Sequence, residues 1–460
     1  MFSRKVFVLR FIGCILFSFS FLAVVTAQEV SFAGSLSTQF GVGLPSTHDN
    51  EGRFLVGTTT LDTTLKAYIG DSSLVVNSQL LYDALGGQSS NGTESFVALD
   101  GSFALKLKEA YFDYNGGSFA IRVGRQISAW GKADAIQVAD ILCPQDNSVM
   151  IAANYKESRI GIDAVRFSYM RDLMQIDAYW IPFFTPSTLP LAKGNPLRAI
   201  EFPDSYSGYK FYTPQSWDDF DLSEKKLSNS EYALRFSANF SKFDFSFYWF
   251  YGWDDTPFFS YAPVFSGYGY SADLSGINLS GSYERLLMFG ADAAVPFGNF
   301  VFRFEAAYFP ERYMQTSVDY QKKYLFAGEK ADAAKERHQL VGLIGADWDA
   351  GGGWTLMAQY VADIAFGDVG DLARKQYVHQ LTATVTKSLF NDLLSLMFHG
   401  GLDLCDFSAA IDAEAEYSLT DSIKLSLIGN FYIEGPWDEK GMYGVYRDLS
   451  CLTLKGKISF

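Results

Sequence analysis

The stretch Phe243-Asp244-Phe245-Ser246-Phe247-Tyr248-Trp249-Phe250-Tyr251-Gly252-Trp253 decides the fold class. Phe243, Phe245, Phe247, Trp249, Tyr251 and Trp253 share one parity, and Asp244, Ser246 and Tyr248 share the other. A strand points successive side chains to opposite faces, so this period of two gives one aromatic face and one more polar face. A helix would mix the two sets. The same alternation recurs at 232–240, 300–308, 354–366, 394–404, 407–417 and 423–433. Such strands run to about 10–14 residues, where ordinary strands average five or six.

The connections alternate as well. Tight turns are expected near Asp71-Ser72, Asn115-Gly116-Gly117, Arg171-Asp172, Ser241-Lys242, Gly298-Asn299, Gly351-Gly352-Gly353, Asn391-Asp392 and Thr420-Asp421. Between them lie long segments near 44–53, 86–100, 129–158, 185–229, 255–281, 311–336, 367–375 and 435–448. One connection, at Cys405-Asp406, is short although parity places it among the long ones. Short turns on one rim and long loops on the other are the pattern of a transmembrane barrel. The chain therefore reads as all-β: a single antiparallel transmembrane β-barrel of about 18 strands (16 to 18) over residues 28–460, with both termini on the periplasmic side. A propeller is excluded, because its blades use shorter strands without aromatic outer faces.

Composition agrees. Aromatic residues make up 17% of the 460 and charged residues only 19%, against about 25% charged in soluble domains. Beyond residue 27 no apolar stretch approaches the roughly 18–20 residues of a membrane helix, which excludes a helical multi-span protein. Residues 1–27 read as a cleavable export signal, with Arg4, Lys5 and Arg10 before an apolar stretch and Val25-Thr26-Ala27 as the cleavage site. The expected location is the bacterial outer membrane. A net charge of −15 argues against nucleic acid as a partner. Cys143, Cys405 and Cys451 are too scattered for a disulfide framework or a zinc site.

The C-terminal strand carries Leu452, Leu454, Ile458 and Phe460 on one face and Thr453, Lys455, Lys457 and Ser459 on the other. It resembles the terminal signature of bacterial outer-membrane barrels. That resemblance implies recognition of Phe460 by the barrel-insertion machinery, with outer-membrane lipid as the surrounding partner. The same alternation assigns Lys106, Lys108, Arg122, Arg235, Arg303, Lys424, Asp244, Asp292, Glu305, Asp347, Asp403, Asp412, Glu414 and Glu416 to the interior. A dry core could not hold so many ions, since each unpaired one costs several kcal/mol. A wet or plugged lumen can.

One segment stands apart: Gly124-Arg125-Gln126, then Trp130-Gly131 and Asp134, followed by Asp140 and Pro144. It resembles the pattern of a group of large, mostly uncharacterised outer-membrane barrels similar to porins and alginate-export channels. The resemblance implies that loop 129–158 folds inward as a constriction, its base fixed by Arg125, Trp130 and Asp134. The residues alone leave Trp130 equally open to a place in the interfacial aromatic girdle. Arg125 shares parity with outward-facing Ile121 and Val123, so it reaches the lumen only through a bulge or above the lipid. Arg122 faces inward. In a round barrel it would stand opposite the acidic row Asp412, Glu414 and Glu416, giving a transverse field that orients dipolar solutes.

Enzymatic signals are thin: His48, His338, His379 and His399 lie in no metal-binding spacing, and no nucleophile motif is present. His399 and Asp403 share a lumen-facing row, as two residues do by chance. The expected function is porin-like passive or facilitated diffusion of small solutes, without cofactor or metal and without enzymatic activity. Oligomeric state is left open. One alternative is a transporter of hydrophobic compounds or fatty acids, suggested by Phe183-Phe184 and Phe258-Phe259 at loop edges. Another is a surface adhesin or structural barrel using loop 185–229, which carries Tyr206, Tyr209, Phe211, Tyr212, Trp217 and Phe220.

Overall fold

The computed structural model describes residues 28–45, 50–149, 155–206, 209–214, 216–266, 273–327, 331–436 and 440–460. The expected signal segment 1–27 lies outside the described residues. Eighteen long antiparallel strands form the wall. They are β1 (Glu29–Gly43), β2 (Phe54–Ile69), β3 (Ser72–Asp83), β4 (Phe103–Asn115), β5 (Phe119–Gln126), β6 (Ile162–Arg171), β7 (Met174–Ile181), β8 (Glu231–Asn239) and β9 (Asp244–Trp253). The second half comprises β10 (Arg285–Phe297), β11 (Phe300–Gln315), β12 (Ala334–Gly351), β13 (Trp354–Ala365), β14 (Tyr377–Leu389), β15 (Leu394–Asp403), β16 (Ala409–Ser418), β17 (Ile423–Ile433) and β18 (Cys451–Ser459).

Each strand pairs with its sequence neighbour, and β1 pairs with β18 from Ser35↔Ser459 to Gly43↔Cys451. The sheet is therefore closed, which satisfies every strand edge where hydrocarbon offers no hydrogen bonds. At the seam the backbone N–H of Phe460 donates to Gly34 O (2.9 Å) and the N–H of Gly34 donates to Phe460 O (2.8 Å). The Phe460 ring lies over Gly34, where a Cβ would stand 2.7 Å from its Cζ. The outer surface exposes Phe32, Phe40, Leu80, Leu105, Phe247, Phe289, Ile344, Leu381, Phe398 and Leu454, an apolar band suited to lipid. Phe300 stacks on Trp348 near the turn end, with centroids 5.6 Å apart.

All eight tight turns fall where the sequence places them. The turn Gly351-Gly352-Gly353 has φ of 76°, 60° and 81°, values open to glycine at no steric cost. Differences arise in the loops. The strands around the expected loop 311–336 extend further, because a bulge between Phe309 and Arg312 absorbs Pro310 and Glu311 and pairing resumes to Gln315↔Ala334. A helix, Val318–Ala327, occupies the remainder. Segments of the loops at 185–229 and 255–281 form a small second sheet, in which Phe258–Ser266 pairs with Asp273–Ser282, and Tyr209–Tyr212 and Phe220–Asp221 run parallel to the latter. Phe407 has a positive φ of 58° in the short connection, so β16 begins at Ala409 rather than two residues earlier.

The seam is open to test. The full protein should migrate faster unboiled than boiled in detergent gels and give a strand-rich circular dichroism spectrum. Deleting Phe460 should lower the folded outer-membrane yield severalfold. A soluble, helix-rich product would contradict the architecture.

Candidate functional site

The connection between β5 and β6 runs over residues 127–161, and its described segment 127–149 turns into the barrel. Trp130, Ala133, Val138, Ala139, Leu142 and Cys143 of this loop are buried in one apolar cluster with the inner wall. The wall supplies Ala164, Tyr179, Ile181, Ala233, Phe250, Met288, Phe309, Leu343 and Val361, an arc running from β6 to β13. The loop brings its own hydrophobic face to cover the apolar part of this arc. Trp130 is 3% exposed and stacks on Tyr248 (centroids 4.8 Å, 28°) with its edge toward Tyr179. It lies inside the barrel, not in the outer aromatic girdle.

Three loop amides converge on one carboxylate. Glu305 of β11 accepts from the backbone N–H groups of Lys132 (2.5 Å), Ala133 (2.9 Å) and Ala139 (2.7 Å). Such charge-assisted bonds are short and strong. Gly131 N–H donates to Tyr248 Oη (3.0 Å), and that hydroxyl donates to Asp292. Gly131 has φ of 78°, and a Cβ there would collide with the Glu305 carboxylate. The Trp-Gly step has its physical reason here: Trp130 fills the wall pocket and Gly131 lets the backbone reach Glu305.

Ion pairs fix the loop on both sides. Asp134 pairs with Arg303 (2.8 Å), which also pairs with Asp347. Its N–H donates to Gln359 Oε1 of β13 (3.2 Å). Lys132 Nζ reaches Asp244 of β9 (2.5 Å). Asp140 accepts from the Trp130 N–H (2.9 Å) and from Arg159 Nε (2.7 Å), tying the start of the loop to its return.

The opposite arc keeps exposed polar side chains. Under the loop, Tyr248, Asp292, Glu305, Leu343 and Val361 are each at most 4% exposed. From β14 round to β2, the lumen-facing Thr384, His399, Glu414, Lys455, Gln39, Thr58, Thr60, Asp62 and Lys66 are all partly exposed.

The remaining residues singled out in the sequence divide. Arg122 faces inward, bonded to Asp113 (3.1 and 3.2 Å) and stacked on Tyr111 (4.1 Å). Arg125 stands at the root of the loop, away from Trp130 and Asp134. The register sets it beside Asp163, which holds its guanidinium bidentately (3.1 and 2.6 Å), and its other partners are Ser95 Oγ and Gly161 O (3.0 Å). It is 6% exposed at the loop end of β5, where it ties the two strands that flank the loop. Asp412 accepts from Asn430 Nδ2, and Glu416 pairs with Lys424 (2.6 Å). Sequence reading missed Arg166, aligned with Arg122 on the next strand. Its parity within β6 was the available signal. Arg166 and Arg235 carry buried Nε atoms with no hydrogen-bond partner. In an 18-membered ring β5, β6 and β8 stand across from β14, β15 and β17, so the guanidiniums face the carboxylates of β16 obliquely.

The connection between β7 and β8 spans residues 182–230, and its segment 195–201 reaches across the mouth. Leu197 and Ile200 pack against Ala410 of β16, Tyr432 of β17, and Tyr443 and Leu449 of the β17–β18 loop. Those strands are diametrically opposite the loop's own roots. Asn195 Nδ2 donates to Gly87 O (3.0 Å) and Ser148 O (2.7 Å), linking it to two other loops on the way. Trp217 and Phe220 are buried at 6% and 7% in the loop cluster. They pack the lid rather than offer a surface.

Glu305→Ala should leave three amides without their acceptor, at about 1–3 kcal/mol each. The loop should detach, with larger and noisier single-channel currents and a lower unfolding temperature. Glu305→Gln, which keeps an acceptor oxygen, should do less. Excising residues 195–201 should raise conductance while leaving heat-modifiable migration intact.

Residues 47–420 match the family described as "Protein of unknown function (DUF1302)". A comparison with curated proteins gives no match. Among solved structures, the chain is similar to OccAB2 of Acinetobacter baumannii, at TM-score 0.51 and 8% identity, over 95% of this chain and 98% of that one. It is also similar to OccAB1 of the same organism, at TM-score 0.50 and 9% identity, over 95% and 97%. These likenesses concern the fold. The match over most of its length places the chain in the DUF1302 family, as a closed 18-stranded barrel of the porin kind.

Proposed function

We propose that the protein is a porin-like channel in the outer membrane of a diderm bacterium, through which small polar solutes diffuse passively. The observation that supports this reading is the division of the lumen. A loop anchored on Glu305 covers part of the wall from β6 to β13 and leaves the facing arc lined by threonine, glutamine and charged side chains that water reaches. That wall favours polar solutes over the fatty-acid alternative. The buried aromatics of the long loop favour a lid over an adhesin.

The charge layout supports a transverse field. Arg166 and Arg235 make no ion pair among the described residues, and Arg122 beside them is paired with Asp113. Glu414 on β16 likewise makes none among the described residues. Opposed charges across a narrow lumen orient dipolar solutes, and salt screens them over a Debye length of about 10 Å at 0.1 M.

In planar bilayers the purified protein should conduct, and reversing Arg166 and Arg235 to Glu should raise the cation-over-anion permeability ratio at low salt. Reversing Arg125 should lower folded yield by breaking its bond to Asp163, with selectivity unchanged. A bilayer that stays silent with correctly folded protein would contradict the channel reading. Equal selectivity in wild type and the Arg166/Arg235 double variant would move the field elsewhere.

A further inference from the structure

His399 shares its row with Asp403, but the structure gives the two separate tasks. Asp403 is 2% exposed and caps the β15–β16 turn, accepting from the N–H groups of Cys405 (2.6 Å) and Asp406 (3.1 Å). His399 stays partly exposed on the wet arc. The register places it between Thr384 of β14 and Asp412 of β16. Its Nδ1 lies 2.8 Å from Thr384 Oγ1. With the hydroxyl donating there, the ring proton sits on Nε2, and Nε2–H is left for water or solute.

The position matters because it borders the loop. The inward loop ends its hold on the wall at Gln359 of β13, the side chain that binds Asp134. Gln359 aligns with Thr382 of β14, and Thr382 aligns with Gly401 of β15. His399 is thus two strands past the loop's edge, about 10 Å sideways at ordinary strand spacing.

The other groups facing this ring are few. On β14 the inward side chains Gln380, Thr382, Thr384 and Thr386 carry no charge. On β15 they are Ser395, Met397 and Asp403, the last engaged at its turn. β16 supplies Asp412, bonded to Asn430, and Glu414 and Glu416, the latter paired with Lys424. Tyr443 lies above, its hydroxyl 3.3 Å from Gln380 Nε2. On the loop side Asp134 is neutralised by Arg303, and Lys132 by Asp244. The imidazole is the side chain in this ring of neighbours whose ordinary pKa falls within the range of about 5 to 8. Asp412, buried beside it, is the competing titrating group.

We propose that His399 is a specificity-determining residue of the channel. In this account it is a neutral hydrogen-bond donor at neutral pH and a cation in mild acid, shifting the narrow zone between loop and open wall from cation-tolerant toward anion-favouring. The proposal rests on the channel reading above.

The test is the reversal potential across a KCl gradient, titrated in small steps from about pH 7.5 to about pH 4.5, for wild type, His399→Gln, Asp412→Asn and Thr384→Val, each first shown to be heat-modifiable. In wild type the potassium-over-chloride permeability ratio should fall about twofold or more on acidification. His399→Gln should show no fall, and Asp412→Asn should keep it. Thr384→Val, which frees Nδ1 but leaves the ring, should keep the amplitude and move the midpoint, a result that a merely structural histidine would not give. An unchanged fall in His399→Gln, or its loss in Asp412→Asn alone, overturns the assignment. Folded protein that passes no current overturns the channel reading, and this proposal with it.

Discussion

Three backbone N–H groups on the Glu305 carboxylate hold the organisation of the lumen together. A loop entering a barrel must satisfy its own amides and cover whatever wall it touches. This one does both at one place: Glu305 collects the amides of Lys132, Ala133 and Ala139, while Trp130, Val138 and Leu142 bury the apolar wall around it. An anionic acceptor buried without those donors would be costly, and the donors without it equally so. The two halves of the arrangement therefore require each other. The unequal lumen follows: the loop covers the wall around Glu305 between β6 and β13, while Arg166 and Arg235 nearer the turn end and polar side chains from β14 to β2 stay partly exposed.

The wall itself answers to a different constraint. In hydrocarbon every strand edge must be paired, so the chain closes between β1 and β18, and Phe460 lies across Gly34 where the two ends meet. Alternation then decides all else about the strands. One parity carries the large apolar side chains to lipid. The other is free to hold arginine, aspartate and threonine, because it faces water or the loop. The loops on the opposite rim are built as one packed layer, with the longest of them reaching across the mouth to Tyr432 and Tyr443.

Much of this was legible in the sequence. The period of two in 243–253 and the alternation of short and long connections carry the closed sheet and all eight turns, because each depends only on local patterning. The interior charges were legible by parity, and the Trp130-Gly131 step was visible as an interruption in strand grammar. What stayed hidden depends on distant contacts. Nothing near Glu305 reveals that its acceptors serve residues 132–139, and nothing in β6 or β13 says that Ile162 and Val361 face a loop instead of water. Arg125 shows a mixed case: the motif pointed to the base of the loop and to its electrostatics, and the guanidinium is engaged at that base by Asp163 and Gly161 O. The small sheet of the loops at 185–229 and 255–281 and the helix Val318–Ala327 escaped because their short segments lack a decisive period.

The division of the lumen is the central claim, and thiol accessibility measures it directly. In a Cys405→Ser background, cysteine would be placed at Thr60 on the open arc or at Leu343 beneath the loop, and intact cells treated with a small membrane-impermeant thiol reagent. Thr60→Cys should react readily and Leu343→Cys should stay protected. Equal labelling of the two positions would contradict the account.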